Sequence, residues 1–164
     1  MGTCHLHLGS NLGERRVNIA RAVQMIEESL GPIIASSSFY ETEAWGKTDQ
    51  DDFINMALEV EHYKTPNQLL DTVNAIENRL GRIRRLKWEE RLIDIDIIFM
   101  EDIIIDTEKL TIPHKWMEQR NFVLYPMVEI APEFVHPVLN KTVEKLLKEC
   151  NDTSEIKRLT PEFD

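Results

Sequence analysis

A chain of 164 residues, 42% of them apolar and 29% charged, has the size of one domain and holds no apolar run near the ~18 residues of a membrane span. Its 19 Lys+Arg against 29 Asp+Glu give a net charge of −10, which repels polyanions at long range and argues against general binding of nucleic acid or anionic membrane. Any phosphate-binding surface must therefore be a local basic patch.

The start of the chain, Met1-Gly2-Thr3-Cys4-His5, lacks the basic flank, apolar stretch and small-residue cleavage site of a secretory signal, so a cytoplasmic location is expected. Cys4 and Cys150 have neither a metal-site spacing nor the density of a disulfide scaffold and read as free thiols. Residues 4–8 alternate apolar and polar and predict a strand, closed by the turn-rich Gly9-Ser10-Asn11-Leu12-Gly13. Ile19, Ala22, Val23, Ile26 and Leu30 recur at helical spacing before the stop signal Gly31-Pro32. Residues 33–40 read as a second strand and 41–52 as a polar loop; Ile54, Met56, Leu58 and Val60 then mark one face of a third strand over 53–62.

Thr65-Pro66-Asn67-Gln68 combines a helix cap, a proline at the first helical position and a capping-box glutamine. The stripe Leu69, Val73, Ile76 and Leu80 continues that helix, and Gly81 suits the left-handed position that ends it. Residues 92–100 are rich in β-branched side chains and predict a fourth strand. The order β-α-β-β-α-β suits an α+β fold of ferredoxin-like plan, an antiparallel sheet with two helices on one face. Beyond it, 103–105 reads as a short added strand, and 122–130 and 142–150 as helices. One domain over 1–164 is expected, with the tail after Asn151 fraying.

Chemistry concentrates around the fourth strand. Arg79, Arg82, Arg84, Arg85, Lys87 and Arg91 place six cations in thirteen residues. Asp94 and Asp96 stand two apart on a strand, so they share a face with Cα atoms roughly 6.5–7 Å apart. The flanking isoleucines suggest a central strand, where a carboxylate needs a cation, a metal or several donors; an edge strand with one solvated face is the alternative. Such a pair suits two magnesium ions bridging phosphate oxygens, with arginines as forked phosphate clamps. No Gly-x-x-x-x-Gly-Lys-Ser/Thr loop is present, so spacing alone does not specify ATP. Phe53 and Phe122 read as core residues by type, whereas Asn55 in an otherwise apolar face is harder to explain as packing. His5 and His7, on one strand face, have no third ligand nearby in sequence and read as structural.

Several ordered blocks resemble the 6-hydroxymethyl-7,8-dihydropterin pyrophosphokinase family. They are Glu77-Asn78-Arg79-Leu80-Gly81-Arg82, Trp88-Glu89-Glu90-Arg91-Leu92-Ile93-Asp94-Ile95-Asp96, Leu110-Thr111-Ile112-Pro113-His114 and Arg120-Asn121-Phe122-Val123-Leu124. Gly9–Gly13, Ser38–Thr42, Phe53-Ile54-Asn55 and Glu129-Ile130-Ala131-Pro132 extend the likeness over roughly residues 5–147. Glu89-Glu90 stand where the family usually has Gly-Pro, and Lys87 carries a charge without the guanidinium fork.

The resemblance implies a ferredoxin-like fold and an enzyme of folate biosynthesis that moves pyrophosphate from ATP to the hydroxymethyl oxygen of the pterin, releasing AMP. By matching positions, Asp94 and Asp96 would bind two magnesium ions. Arg82, Arg91, His114 and Arg120 would contact the phosphates of ATP, with Arg82 and Arg91 sharing in catalysis, and Glu77, Thr111 and Ile97 would lie near the nucleoside. Phe53 and Phe122 would stack on the pterin, and Thr42 and Asn55 would hydrogen-bond its edge. The segments 41–52 and 83–90 are expected to act as lids, and the protein to work as a monomer. A palm- or cyclase-like two-metal enzyme and a nonenzymatic ferredoxin-like ligand-binding module are the competing readings.

Overall fold

Strand alternation builds the centre of the molecule in the computed structural model, which describes residues 1–43, 51–81 and 92–160. β1 (Gly2–Ser10) sends Cys4, Leu6 and Leu8 to one face of the sheet and His5, His7 and Gly9 to the other. Between β1 and the chain's next long strand run α1 (Arg15–Ser29), β2 (Ile33–Ser36) and β3 (Tyr40–Thr42). β4 (Phe53–His62) pairs antiparallel with β1, setting Leu6 opposite Leu58 and Gly9 opposite Asn55. After α2 (Pro66–Arg79), β5 (Asp94–Met100) pairs antiparallel with the other side of β1 and sets His7 opposite Asp96 and Gly9 opposite Asp94. β2 and β3 share the far edge of β4.

Where one strand is predicted over 33–40, the structure has two. Ser37 replaces the ladder at the break: its N–H donates to Ala57 O (3.0 Å) and its Oγ accepts from Ala57 N (2.9 Å). Glu41 and Thr42, predicted as loop, belong to β3.

Both helix ends of the first layer follow from local chemistry. Thr65 Oγ1 accepts from Gln68 N while the Gln68 side chain accepts from Thr65 N, the reciprocal cap expected of Thr-x-x-Gln. After α1, a Cβ on Gly31 would lie 2.5 Å from Glu61 O, so only glycine lets the chain pass β4 so closely. Ile19, Ala22 and Ile26 of α1 and Leu69, Val73 and Ile76 of α2 then bury against Cys4, Leu6, Leu8, Ile95 and Ile97. Each such aliphatic side chain contributes roughly 1.5–3 kcal/mol when fully buried.

A second short ladder joins β6 (Ile105–Asp106) to β7 (Thr111–Ile112), one step along from the predicted 103–105 strand and with a partner not anticipated. A 3-10 turn (Met117–Gln119) leads into α3 (Asn121–Ile130), and α4 (Val143–Glu149) follows. These two helices cover the opposite face of the sheet, packing Val123, Leu124, Met127, Val143 and Leu146 against Ala57, Ile98 and Phe99. Among the described residues, no helix is long and apolar enough to cross a membrane.

The chain after Asn151, expected to fray, is tied down over its described part. Asp152 Oδ2 accepts from Asn121 N (3.1 Å), Asn121 Nδ2 donates to the carbonyls of Asp152 (3.2 Å) and Ser154 (2.8 Å), and β8 (Ile156–Arg158) pairs with β3. The sheet therefore runs β5-β1-β4-β3-β8 with β2 also on β4, every pairing antiparallel.

This order corrects one expectation: β5 lies at the edge of the sheet. Its isoleucines suggest a central strand because Ile95 and Ile97 face one core and Ile98 and Phe99 the other. The outer edge is covered by shorter-range groups. Glu77 Oε2 accepts from Ile95 N (2.9 Å), and His114 N donates to Ile98 O (2.9 Å).

His5, read as structural, packs edge-on to Phe99 and Phe134 with ring centroids at 5.9 and 4.9 Å, and neither ring nitrogen has a hydrogen-bond partner. Burial lowers its pKa from 6.5 to about 4. Because the unfolded imidazole protonates first on acidification, the unfolded state binds the extra proton between these values. Stability is thus expected to fall as pH drops from about 6.5 to 4, His5 accounting for up to ~3 kcal/mol. Urea denaturation at stepped pH checks this: His5→Phe should make the dependence shallower, and a slope equal to wild type would refute the assignment to His5.

Candidate active site

The register of β1, β4 and β5 gathers polar groups on the face opposite α1 and α2. Asp94, Gly9, Asn55 and Tyr40 lie in one row across four strands, and Asp96, His7 and Ala57 in the next. A Cβ on Gly9 would stand 3.5 Å from both Asn55 Oδ1 and Phe53 Cδ1, so the missing side chain leaves a floor beside these two groups. Asp94 and Asn55 are then two strand spacings apart, about 10 Å.

Asn55 is buried, and its amide orientation is set by its neighbours. Nδ2 donates to Tyr40 O (3.2 Å) and to Thr42 Oγ1 (2.9 Å), which turns Oδ1 towards Gly9. Thr42 accepts from Asn55 and keeps its own O–H to give. The pair therefore offers one acceptor and one donor side by side, the combination that reads the edge of a nitrogen heterocycle.

Above the same face stands the start of α3. The Arg120 guanidinium lies over the Phe122 ring, 6.0 Å from its centroid, and the His7 ring meets Phe122 edge-on at 5.7 Å. His7 is buried, its Nε2 lies 3.2 Å from Phe122 O, and burial holds its pKa down at about 4, so the ring is neutral at physiological pH. Glu129, further along α3, accepts from Tyr40 OH (2.6 Å) and Ser38 N (2.8 Å), locking the helix to β3. Burial together with the Glu129 carboxylate raises the Tyr40 phenol to about 12.

On the other flank of β5 lies a cleft of about 310 Å³ between α2 and the 108–115 segment. Glu77, Asp96, Ile97, Thr111 and His114 line it, together with Leu70, Val73, Asn74, Lys109 and Lys115. Asp96 therefore borders both the cleft and the polar face. Its carboxylate is 42% exposed and sits 3.7 Å from His114 Nε2. His114, which follows a cis Ile112–Pro113 bond, is placed there by the bond from its N–H to Ile98 O; its Nδ1 is buried without a hydrogen-bond partner.

The structure thus separates the predicted residues into two groups. Glu77, Ile97, Thr111 and His114 meet in the cleft with Asp96, while on the adjoining face Phe53 and Asn55 stand beside Gly9, Thr42 is bonded to Asn55, and Phe122 meets His7. The Arg120 guanidinium stands over the Phe122 ring beside that face. Arg82, Arg91, the segment 83–90 and most of the loop 41–52 lie outside the described residues.

Glu77 also has a main-chain role: its buried carboxylate caps the edge of β5. Glu77→Ala leaves the Ile95 N–H unsatisfied and is expected to cost about 1–3 kcal/mol. Thermal unfolding checks this, with Glu77→Gln, which keeps the acceptor, losing less; equal losses would assign Glu77 another part. Sequence reasoning missed Asn74, which lies three residues before Glu77 on the same helix face, and Lys109 beside Leu110-Thr111. It also left Gly9 without a role and His7 as a packing residue.

Pairs of acidic side chains bordering a cleft suit a hydrated hard cation. Among the described residues, no three His, Cys, Asp or Glu side chains converge to hold a metal alone. Hard carboxylate oxygens are the ligand type magnesium takes, with water and phosphate oxygens as its remaining ligands.

Residues 5–132 match the family described as 7,8-dihydro-6-hydroxymethylpterin-pyrophosphokinase (HPPK). A protein of Aquifex aeolicus named 2-amino-4-hydroxy-6-hydroxymethyldihydropteridine pyrophosphokinase is 39% identical over 149 residues, covering 91% of this chain and 92% of that one. A Methylorubrum extorquens protein of the same name is 39% identical over 160 residues (97% and 99% covered), and one of Haemophilus influenzae 37% over 158 (96% and 98%). In fold the chain is similar to wild-type Plasmodium falciparum HPPK-DHPS crystallised with pteroate, with a TM-score of 0.72 at 20% identity over 90% of this chain. This chain spans 42% of that one.

Proposed function

This chain belongs to the 7,8-dihydro-6-hydroxymethylpterin-pyrophosphokinase family, and from that premise we propose how its residues divide the work. The reaction of the family is the transfer of pyrophosphate from ATP to the hydroxymethyl group of 6-hydroxymethyl-7,8-dihydropterin, in folate biosynthesis. The hydroxymethyl oxygen attacks the β-phosphorus, the bond from that phosphorus to the α,β-bridging oxygen breaks, AMP leaves with that oxygen, and the hydroxyl proton is released. Family membership displaces both the palm-like enzyme and the nonenzymatic module as readings.

The observation that carries the assignment is the position of Asp96, which borders the cleft on one side and stands opposite His7 on the polar face on the other. A nucleoside in the cleft and a pterin on the Gly9 floor would meet at the two aspartates. In this reading Glu77, Ile97 and Thr111 hold the nucleoside, and His114 donates to phosphate. Arg82, Arg91 and Arg120 contact phosphates, Arg82 and Arg91 taking part in catalysis. Phe53 and Phe122 stack on the pterin while Thr42 and Asn55 bond its edge. Asp94 and Asp96 hold two magnesium ions, which would neutralise charge on the transferring and leaving phosphates when bound.

The strand order, with β2 and β3 treated as one, supports a ferredoxin-like plan, to which α3 and α4 add a layer on the second face. A monomeric, single-domain cytoplasmic enzyme completes the proposal, with ATP and the pterin as partners. The net charge of −10 supports leaving nucleic acid and membrane out.

Phosphorus NMR of the protein with magnesium and ATP tests the reaction. Addition of 6-hydroxymethyl-7,8-dihydropterin is expected to produce AMP and a pterin diphosphate together. ATP consumption with any other phosphorus product would overturn it.

A further inference from the structure

Pro126 lies inside α3 and has no N–H to give to the carbonyl four residues back. That carbonyl belongs to Phe122, the residue assigned to one face of the pterin. A helix carbonyl left without a donor in a buried place is costly, so something else must supply the proton. His7 Nε2 is the group that reaches it, 3.2 Å away and across 115 residues of sequence. A carbonyl only accepts, so the neutral imidazole is in the tautomer that carries its proton on Nε2.

We propose that His7 is a positioning residue for pterin binding: by satisfying the carbonyl freed by Pro126, it fixes where the Phe122 ring stands on the polar face of the sheet. This rests on the pterin subsite proposed above. Other bonds hold the helix as a whole. Asp152 caps it at Asn121, Val123, Leu124 and Met127 bury in the core, and Glu129 ties it to β3. The bond from His7 acts at Phe122 itself, and the edge-on contact of the two rings extends it from the main chain to the side chain. His7 faces Asp96 in the β1–β5 ladder, so it sits where the carboxylate row and the aromatic lid of the pterin floor meet.

The test compares His7→Leu, which keeps bulk but has no donor, with His7→Gln, which sets a donor near the place of Nε2. Binding of 6-hydroxymethyl-7,8-dihydropterin and of a magnesium complex of a nonhydrolysable ATP analogue is measured by calorimetry on the full chain. His7→Leu is expected to weaken the pterin about tenfold while the nucleotide changes less than about twofold, and His7→Gln is expected to restore most of the loss. In protein labelled with 1-13C phenylalanine, the Phe122 carbonyl shift should move in the leucine variant and return in the glutamine variant, with no ligand present.

A purely structural role would weaken both ligands alike, which overturns the proposal, as does a leucine variant that binds the pterin like wild type. Wild-type protein that binds nucleotide but no pterin would overturn the subsite and this proposal together.

Discussion

Asp96→Asn is expected to lower pterin-dependent AMP formation by about a thousandfold or more, with Asp94→Asn close behind. The change keeps size and shape and removes the charge, so it tests electrostatics rather than packing. The edge position of β5 makes it clean. Asp96 is 42% exposed and its histidine neighbour 27% exposed, so its charge is not being sustained by a costly buried network, and its loss should shift stability by less than ~0.5 kcal/mol. A drop in turnover with an unchanged melting temperature would then locate the charge requirement in the reaction. Raising magnesium should partly rescue the single variants and not the double variant, because one carboxylate still offers a hard oxygen ligand. Near-normal turnover in either single variant would remove the paired-carboxylate assignment, and equal loss of nucleotide affinity without magnesium would make the aspartates direct ligands of the substrate.

The local elements were legible because each announces itself within a few residues. Cys4, Leu6 and Leu8 alternate, Thr65 to Gln68 spell a reciprocal cap, and Asp94 and Asp96 share a face by the period of a strand alone. What joins them was not legible. The register that puts His7 opposite Asp96 and Gly9 opposite both Asp94 and Asn55 depends on pairings between strands far apart in the chain. The edge position of β5 was hidden because both of its faces are buried and its free edge is capped by Glu77 and the His114 amide. β8 gave no apolar alternation to read, since Ile156, Lys157 and Arg158 join the sheet through main-chain pairing to β3. The role of His7 needed two facts that sequence holds apart: a proline in α3 and a histidine on β1. The resemblance to a family supplied roles for single residues, while the division into a cleft and a polar face, with Asp96 shared, emerged from the sheet.

Asn55→Leu is expected to weaken pterin binding about a hundredfold and leave the affinity for ATP nearly unchanged. The size follows from what a polar reader loses on truncation. Asn55 Oδ1 is turned to the Gly9 floor because Nδ2 is engaged by Tyr40 O and Thr42 Oγ1, so a ligand donor meeting Oδ1 finds an acceptor already oriented. Leucine removes that acceptor, leaves the ligand donor buried without a partner, and frees the Thr42 hydroxyl to rotate; two such defects at about 1–3 kcal/mol each exceed tenfold comfortably. Asn55→Asp separates orientation from polarity. Its carboxylate keeps an acceptor for the ligand but sets an oxygen against Tyr40 O, so it should lose both stability and pterin affinity. Thr42→Val, which removes only the second member of the pair, should cost less, about tenfold. Steady-state kinetics with each substrate varied in turn gives the result: a rise in KM confined to the pterin supports the reading edge, whereas parallel rises for pterin and ATP would show that Asn55 holds the sheet together and reads nothing.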